Sequence, residues 1–200
     1  MKNKRAISAS PSNLFACSDR PARFLKPSRS LFYFINLAKL RLNIKDDDRL
    51  KSLAFIYLTV KTVLNLSDTE TFDCLTEGGG DFGVDAVYIS DPIDNEFTVC
   101  LFQGKYQRKL EATANFPENG IKALIFAVQR LFDPSFKISH INPRLASKLA
   151  DILSFIHDGY IPQVRLIACN NGLCWNESTQ QEINRIQANL GNQTRVRRVL

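Results

Sequence analysis

Three polar residues, Asp85, Gln103 and Lys105, lie at the ends of two consecutive predicted strands in the segment 77–106 (EGGGDFGVDAVYISDPIDNEFTVCLFQGKY). Gln103 and Lys105 are two residues apart, so their side chains point to the same face of a strand. A turn centred near residues 93–94 would pair position 85 with position 102 or 103 of the antiparallel partner strand. A carboxylate, an amide and an ammonium group would then meet at one end of the hairpin. This combination predicts metal-assisted hydrolysis of a phosphodiester.

The oxygen atoms of this set are of the kind that Mg2+ or Mn2+ prefers as ligands. Asp85, Gln103 and the backbone carbonyl of Gly104 are predicted to hold the ion, which would keep several waters. The ion would polarise a phosphate oxygen and acidify a water, and Lys105 would position that water or stabilise the developing charge. The glycines at 78–80 and 83 let the backbone turn sharply and approach a phosphate closely.

The rest of the chain must supply the elements that hold this hairpin in place. Apolar residues at helical spacing and helix start signals predict helices over residues 31–43, 49–66, 67–75, 117–132, 143–157 and 179–190. Ser67 and Glu70 have the spacing of a capping box at the start of the third helix. Predicted strands cover residues 83–90, 96–102 and 162–169. This order predicts an α/β fold with a central mixed β-sheet flanked by helices.

Composition indicates one globular domain with a basic segment at its start. The chain has 200 residues, of which 44% are hydrophobic and 23% charged, and its net charge is +6. Residues 1–45 contain ten Lys/Arg and one acid, so this segment carries +9 and the remaining 155 residues carry −3. The basic pI is therefore weak evidence that the fold itself binds nucleic acid. Residues 1–30 are predicted to be a disordered leader, with an organellar transit peptide as the alternative, and residues 31–200 the domain.

The cysteines and the apolar segments limit the class of protein. The five cysteines are odd in number, form no C-x-x-C pair, and are accompanied by two histidines that are far apart in sequence. A zinc site is therefore not expected, and the pattern is typical of a reducing cytoplasm. Since no segment approaches ~18 consecutive apolar residues, we expect no membrane span.

The hairpin sequence resembles a known family of nucleases. GGDFGVDAVYI followed by LFQGKY is similar to the core of the PD-(D/E)xK nuclease superfamily. More narrowly, it resembles the N-terminal nuclease domain of abortive-infection phage-resistance (AIPR) proteins and Mrr-type restriction endonucleases. LNLSD at 64–68, GYIP at 159–162 and CNNG at 169–172 also resemble AIPR segments, so the similarity covers about residues 48–190.

This resemblance implies a restriction-endonuclease-like core and a role for each residue of the hairpin. Asp85 would be the metal-binding aspartate of the second core strand, Gln103 would take the acidic position of the (D/E)xK element, and Lys105 would be the catalytic lysine. Asp81 would be a turn residue or an outer group of the site. The implied function is a metal-dependent DNA endonuclease of restriction or abortive-infection phage defence. A homodimer is an option, because double-strand cutters of this kind commonly pair their active sites.

Two departures from the family pattern leave an alternative open. Many members supply a glutamate from the first helix, whereas residues 50–66 contain no acid, and the nearest candidates are Glu70 and Glu77. AIPR proteins are also usually several times longer, so this chain would be the nuclease domain alone, a fragment of a split gene or a small relative. The alternative is a catalytically inactive PD-(D/E)xK-like module that binds nucleic acid or a partner protein.

Overall fold

A computed structural model of the protein describes residues 15–18, 29–108, 116–131, 141–171, 177–190 and 196–199. Its six helices are α1 (Arg29–Arg41), α2 (Asp47–Leu64), α3 (Asp68–Cys74), α4 (Glu118–Leu131), α5 (Pro143–His157) and α6 (Glu177–Leu190). Its five strands are β1 (Phe15–Ser18), β2 (Ala86–Ile89), β3 (Glu96–Lys105), β4 (Ile161–Asn170) and β5 (Val196–Val199). The six helices and the strands β2 to β4 confirm the predicted elements. Strands β1 and β5 were not predicted, because four residues outside any longer predicted strand are too few for a periodic pattern to stand out.

Local capping sets the ends of the two helices that precede the hairpin. The Asp46 side chain accepts a hydrogen bond from the Arg49 N–H at 2.7 Å and so begins α2. The helix ends where Asn65 takes a left-handed conformation, with φ of 53°. Ser67 and Glu70 form the predicted capping box at the start of α3. These caps fix where the chain leaves each helix on its way to the candidate site.

The central sheet has the strand order β2-β3-β4 and is mixed. Strand β2 is antiparallel to β3, with Ala86 opposite Phe102, and β3 is parallel to β4, with Gly104 opposite Cys169. A short bridge from Leu75 to Ala86 extends the sheet beyond β2. Strands β1 and β5 form a separate parallel pair. Strand β3 lies at the centre of this sheet, and helices pack on both of its faces.

Alternation along β3 divides the core into two apolar layers, one on each face of the sheet. On one face, Val99 and Leu101 of β3 pack with Leu166 and with side chains of α4, α5 and α6. On the other face, Cys100 and Phe102 pack with Ile167 and with side chains of α1, α2 and α3. The predicted α/β fold with a mixed sheet flanked by helices is thereby confirmed.

Most of the predicted leader, residues 1–30, lies outside the described residues. Its described parts are β1 and the first two residues of α1. In the described part of the chain, no helix is both long enough and apolar enough to cross a membrane. Cys74, Cys100 and Cys169 are free and buried, as expected of thiols that act as small apolar side chains.

Candidate active site

The predicted hairpin brings Asp85 to the end of β3 by backbone pairing. The Asp85 N–H donates to the Phe102 carbonyl at 2.8 Å, just beyond the last regular β2–β3 pair, in which Ala86 lies opposite Phe102. The Asp85 carboxylate in turn accepts a hydrogen bond from the Gly104 N–H, with 2.7 Å between N and Oδ2. The backbone of Asp85 therefore bonds to one of the two positions predicted, 102 or 103, and its side chain is hydrogen-bonded to the segment 103–105.

Gln103 and Lys105 share one face of β3, as predicted, and Gly104 points to the other. Both side chains lie on the same face of β3 as Val99 and Leu101, which is the face that α4, α5 and α6 cover. Gln103 is 3% exposed and Lys105 is half-buried. Within the described residues, Lys105 has no ion-pair partner. The ammonium group therefore stands at the strand end without a carboxylate in direct contact.

The Gln103 amide lies in a narrow space between two glycines. A Cβ atom on Gly83 would lie 3.1 Å from Gln103 Nε2, and one on Gly120 would lie 2.8 Å from Oε1. The buried Oε1 has no hydrogen-bond partner among the described residues. An unpaired buried acceptor is costly, on the order of 1–3 kcal/mol, and such groups often mark a missing ion or water. In the present rotamer the amide nitrogen, and not the oxygen, faces the Gly83 turn.

A tight turn sets Asp81 beside these groups. The Val84 N–H donates to the Asp81 carbonyl at 3.0 Å, and the Gly83 N–H donates to Asp81 Oδ1 at 2.9 Å. Phe82 and Gly83 at the centre of the turn have φ of 55° and 74°, which is the pattern of a type I′ turn. The Asp81 side chain thus stabilises the turn. This is the first of the two roles predicted for it, a turn residue or an outer group of the site.

Burial makes the negative charge of this region unfavourable. Burial raises the pKa of Asp85 from 3.8 to about 6, although the Gly104 N–H and the charge of Lys105 act in the opposite direction. Burial also raises the pKa of Asp81, which Lys105 opposes as well. The charge of Glu77 adds to both increases. These carboxylates are therefore poorly compensated by the groups around them, and an added cation would relieve them.

The two candidates for an additional acid are placed very differently. Glu77 lies close enough to affect both aspartates, and its carboxylate forms an ion pair with Arg49 in the first turn of α2. Glu70 is exposed and its carboxylate accepts from the Ser67 N–H, so it serves the capping box of α3. The hydrogen bonds to Ser67 lower the pKa of Glu70. Of the two, Glu77 therefore belongs to the site region and Glu70 does not.

Asn142 is a positioning residue that sequence reasoning missed. Its side chain caps α5 by accepting from the Arg144 N–H at 2.9 Å, and its Nδ2 donates to the Glu77 carbonyl at 3.0 Å. The Asn142 N–H donates to the Gly80 carbonyl at 3.0 Å. The start of α5 therefore holds the 77–80 loop. Asn142-Pro143 is a visible helix-start signal, but the sequence does not say which loop the cap contacts.

Gly104 is required by the packing of β3 against α2. A Cβ atom at this position would lie 2.0 Å from Ile56 Cδ1 and 3.3 Å from Cys169 Sγ. The absence of a side chain lets α2 approach the strand while the Gly104 N–H holds Asp85. In a strand, the N–H and the carbonyl of one residue point to the same side. The Gly104 carbonyl, the third predicted metal ligand, is therefore directed toward the Asp85 side.

We expect Gly104→Ala to lower the free energy of unfolding by about 1–3 kcal/mol, because the added methyl group overpacks the contact with Ile56. Urea denaturation of the purified protein measures this loss. Gly79→Ala is the matched control, since a Cβ there meets nothing within 4 Å. Ile56→Ala in the Gly104→Ala background should recover part of the loss, and strict additivity of the two changes would contradict the proposed contact.

The described residues contain no group of three or more His, Cys, Asp or Glu side chains arranged to hold a metal ion. The donors predicted from the sequence, namely the Asp85 carboxylate, the Gln103 amide and the Gly104 carbonyl, therefore stay a prediction. Comparisons of the chain with protein-family models, with curated proteins and with solved structures found no match. The functional assignment consequently depends on the chemistry of the site.

Proposed function

We propose that this protein is a metal-dependent DNA endonuclease domain, and that it acts in restriction or abortive-infection phage defence. The observation that carries the proposal is the half-buried Asp85 carboxylate, which accepts a hydrogen bond from the Gly104 N–H and lies close enough to Lys105 for that charge to affect its pKa. A carboxylate whose pKa is raised to about 6 by desolvation is unfavourable in a purely structural role, and perturbed groups of this kind cluster at functional sites. The defence role rests on the family resemblance alone.

The residues at the strand end fit Mg2+ or Mn2+, which prefer oxygen ligands. Asp85 and the Gly104 carbonyl would hold the ion. The Gln103 oxygen, which has no hydrogen-bond partner in the described part of the chain, would complete the set after a half-turn of its amide. When bound, the ion would supply polarisation of the scissile phosphate and a more acidic water. Asp81 and Glu77 add negative charge that favours a cation in this region.

The chain's own groups have separate tasks in this proposal. The Gly104 N–H orients the Asp85 carboxylate by donating to Oδ2. Lys105 presents an ammonium group that forms no ion pair within the described residues, and it would stabilise charge on the phosphate. Asn142 and the Asp81 turn keep the 77–85 loop in place while DNA binds.

One observation favours the alternative function, an inactive module that binds nucleic acid or a partner protein. The described residues hold no cluster of three acids or other strong ligands, and Glu77 is engaged by Arg49. A site with a single firmly placed carboxylate binds a divalent ion weakly, because carboxylate number sets much of the affinity. DNA binding without cleavage is the outcome that would select this alternative.

The decisive experiment incubates the purified protein with supercoiled plasmid and Mg2+ or Mn2+, beside Asp85→Ala and Lys105→Ala. We expect nicked or linear product from the wild type and intact plasmid from both variants. Equal cutting by all three proteins would indicate a contaminant and overturn the site. An intact plasmid in every reaction, together with retained DNA binding, would replace the enzyme by the binding module. Linear product without a nicked intermediate would support paired sites in a homodimer.

A further inference from the structure

An aromatic pair stands beside the candidate site. The rings of Phe82 and Phe126 are 6.2 Å apart between centroids, with an angle of 58° between their planes. The guanidinium of Arg130 lies 4.9 Å from the centroid of the Phe126 ring. Phe126 is 43% exposed and is the large apolar side chain that α4 presents to solvent within the described residues. We call Phe82, Phe126 and Arg130 the aromatic patch.

The aromatic patch begins within the 77–85 loop, because Phe82 belongs to both. Phe82 directly follows Asp81, which is close enough to Lys105 for that charge to affect its pKa. The turn lies against α4, since a Cβ atom on Gly83 would be 3.0 Å from the Ala123 side chain. Phe126 is three residues further along the same helix, or about 4.5 Å along its axis. A ligand that reaches Lys105 could therefore extend over the aromatic patch.

The backbone of Phe82 makes its aromatic side chain an uncommon choice. Its φ of 55° is left-handed, a conformation that Gly, Asn or Asp adopts far more readily than a bulky residue. Such a conformation is strained and persists only where surrounding contacts compensate. One side of Phe82 packs on the core beside α4, and its ring also meets Phe126. The Phe82 ring therefore packs beside Phe126 from the side of the 77–85 loop.

The surroundings of Phe126 do not suit a protein partner. An apolar groove-binding surface on a helix needs several anchors at spacings of three or four residues. The exposed positions of α4 near Phe126 are polar: Asn119, Lys122, Gln129 and Arg130. One exposed ring with a cation beside it is instead the combination that binds a nucleobase by stacking, with the cation attracting the nucleic acid backbone.

We propose that Phe126, supported by Phe82 and Arg130, is a stacking platform for an unpaired base next to the phosphate that Lys105 contacts. This inference rests on the proposed function and narrows its substrate to DNA that is single-stranded, frayed or locally unpaired. A base inside an intact duplex hides both faces in the stack, so only an unpaired or flipped base can cover the ring. The strength of this stacking depends on the aromatic face of the side chain, and not only on its apolar volume.

Binding measured without cleavage tests the platform. Fluorescence anisotropy with a labelled single-stranded oligonucleotide and with the matching duplex, both in EDTA, compares the wild type with three variants of Phe126 and one control variant. Phe126→Ala and Phe126→Leu should weaken single-strand binding about 5- to 100-fold, while Phe126→Trp should retain it. Binding of the duplex should change less than about twofold. Phe32→Ala is the matched control, because Phe32 is a 60% exposed phenylalanine on α1, and it should behave as the wild type.

The outcomes separate this inference from the proposed nuclease function. Unchanged single-strand binding by folded Phe126→Ala and Phe126→Leu overturns the platform, whether or not the wild type cuts DNA. A shift in size-exclusion elution for Phe126→Ala, with single-strand binding unchanged, overturns it in favour of self-association. If the wild type fails to cut but binding depends on Phe126 as expected, the platform stands and the nuclease proposal fails. Quenching of 2-aminopurine in the bound strand, lost in Phe126→Leu, would support stacking directly.

Discussion

Replacing Asp85 with asparagine is expected to abolish metal-dependent cleavage and to stabilise the folded protein above pH 6. Asparagine keeps an oxygen that accepts from the Gly104 N–H, so the local geometry survives. It removes the buried negative charge that the surrounding groups compensate poorly. A residue that weakens the fold in its native form, and improves it when neutralised, is typical of a functional site.

The direction of the stability change follows from proton linkage. The pKa of Asp85 is 3.8 as an unperturbed carboxyl and about 6 in the folded protein. The protonated form is thus favoured by folding, and its stabilising contribution is complete below about pH 4 and lost as the pH rises through about 6. The difference in pKa corresponds to about 3 kcal/mol as an upper value. Asparagine has no proton to lose and avoids this decline.

Urea denaturation at pH 4 and pH 8 in EDTA measures the effect. We expect Asp85→Asn to gain about 1–3 kcal/mol over the wild type at pH 8 and to lie much closer to it at pH 4. Asp91→Asn is the control, since Asp91 is exposed in the turn between β2 and β3. Added Mg2+ at pH 8 should stabilise the wild type and leave Asp85→Asn unchanged. A loss of stability at pH 8 would show that the carboxylate has a structural role instead.

Lys105→Met is expected to lower the rate of plasmid cleavage by about 100- to 1,000-fold, the effect of removing one preorganised stabilising group. Methionine preserves most of the length of the half-buried side chain while removing the charge. Because Lys105 lowers the pKa of both Asp81 and Asp85, its loss should raise both values further. The acidic limb of the pH–rate profile should therefore move to higher pH.

Single-turnover cleavage between pH 5.5 and 9 measures both the rate and the position of the acidic limb. Lys39→Met, an exposed lysine near the end of α1, is the control and should reproduce the wild-type profile. DNA binding in Ca2+ should change only a few-fold in Lys105→Met, because one ammonium is a small part of the contact with the phosphate backbone. A wild-type rate with an unchanged acidic limb would remove Lys105 from the site.

Much of the hairpin could be predicted because its determinants are local. The period of two along β3 puts Gln103 and Lys105 on one face, and the short turn at 91–95 fixes which residues face each other. The capping box of Ser67 and Glu70 was equally local, since its partners are three residues apart. The same interactions then show that Glu70 is occupied at the start of α3.

What the tertiary structure decided involves partners that are far apart in sequence. Glu77 meets Arg49 and Asn142, 28 and 65 residues away, and no short-range pattern encodes either contact. The raised pKa of Asp85 is likewise a product of desolvation in the folded chain. The sequence by itself determined which groups stand at the strand ends and on which face, because backbone geometry repeats locally. Only the folded chain decided how solvated and how compensated those groups are, because desolvation depends on everything packed around them.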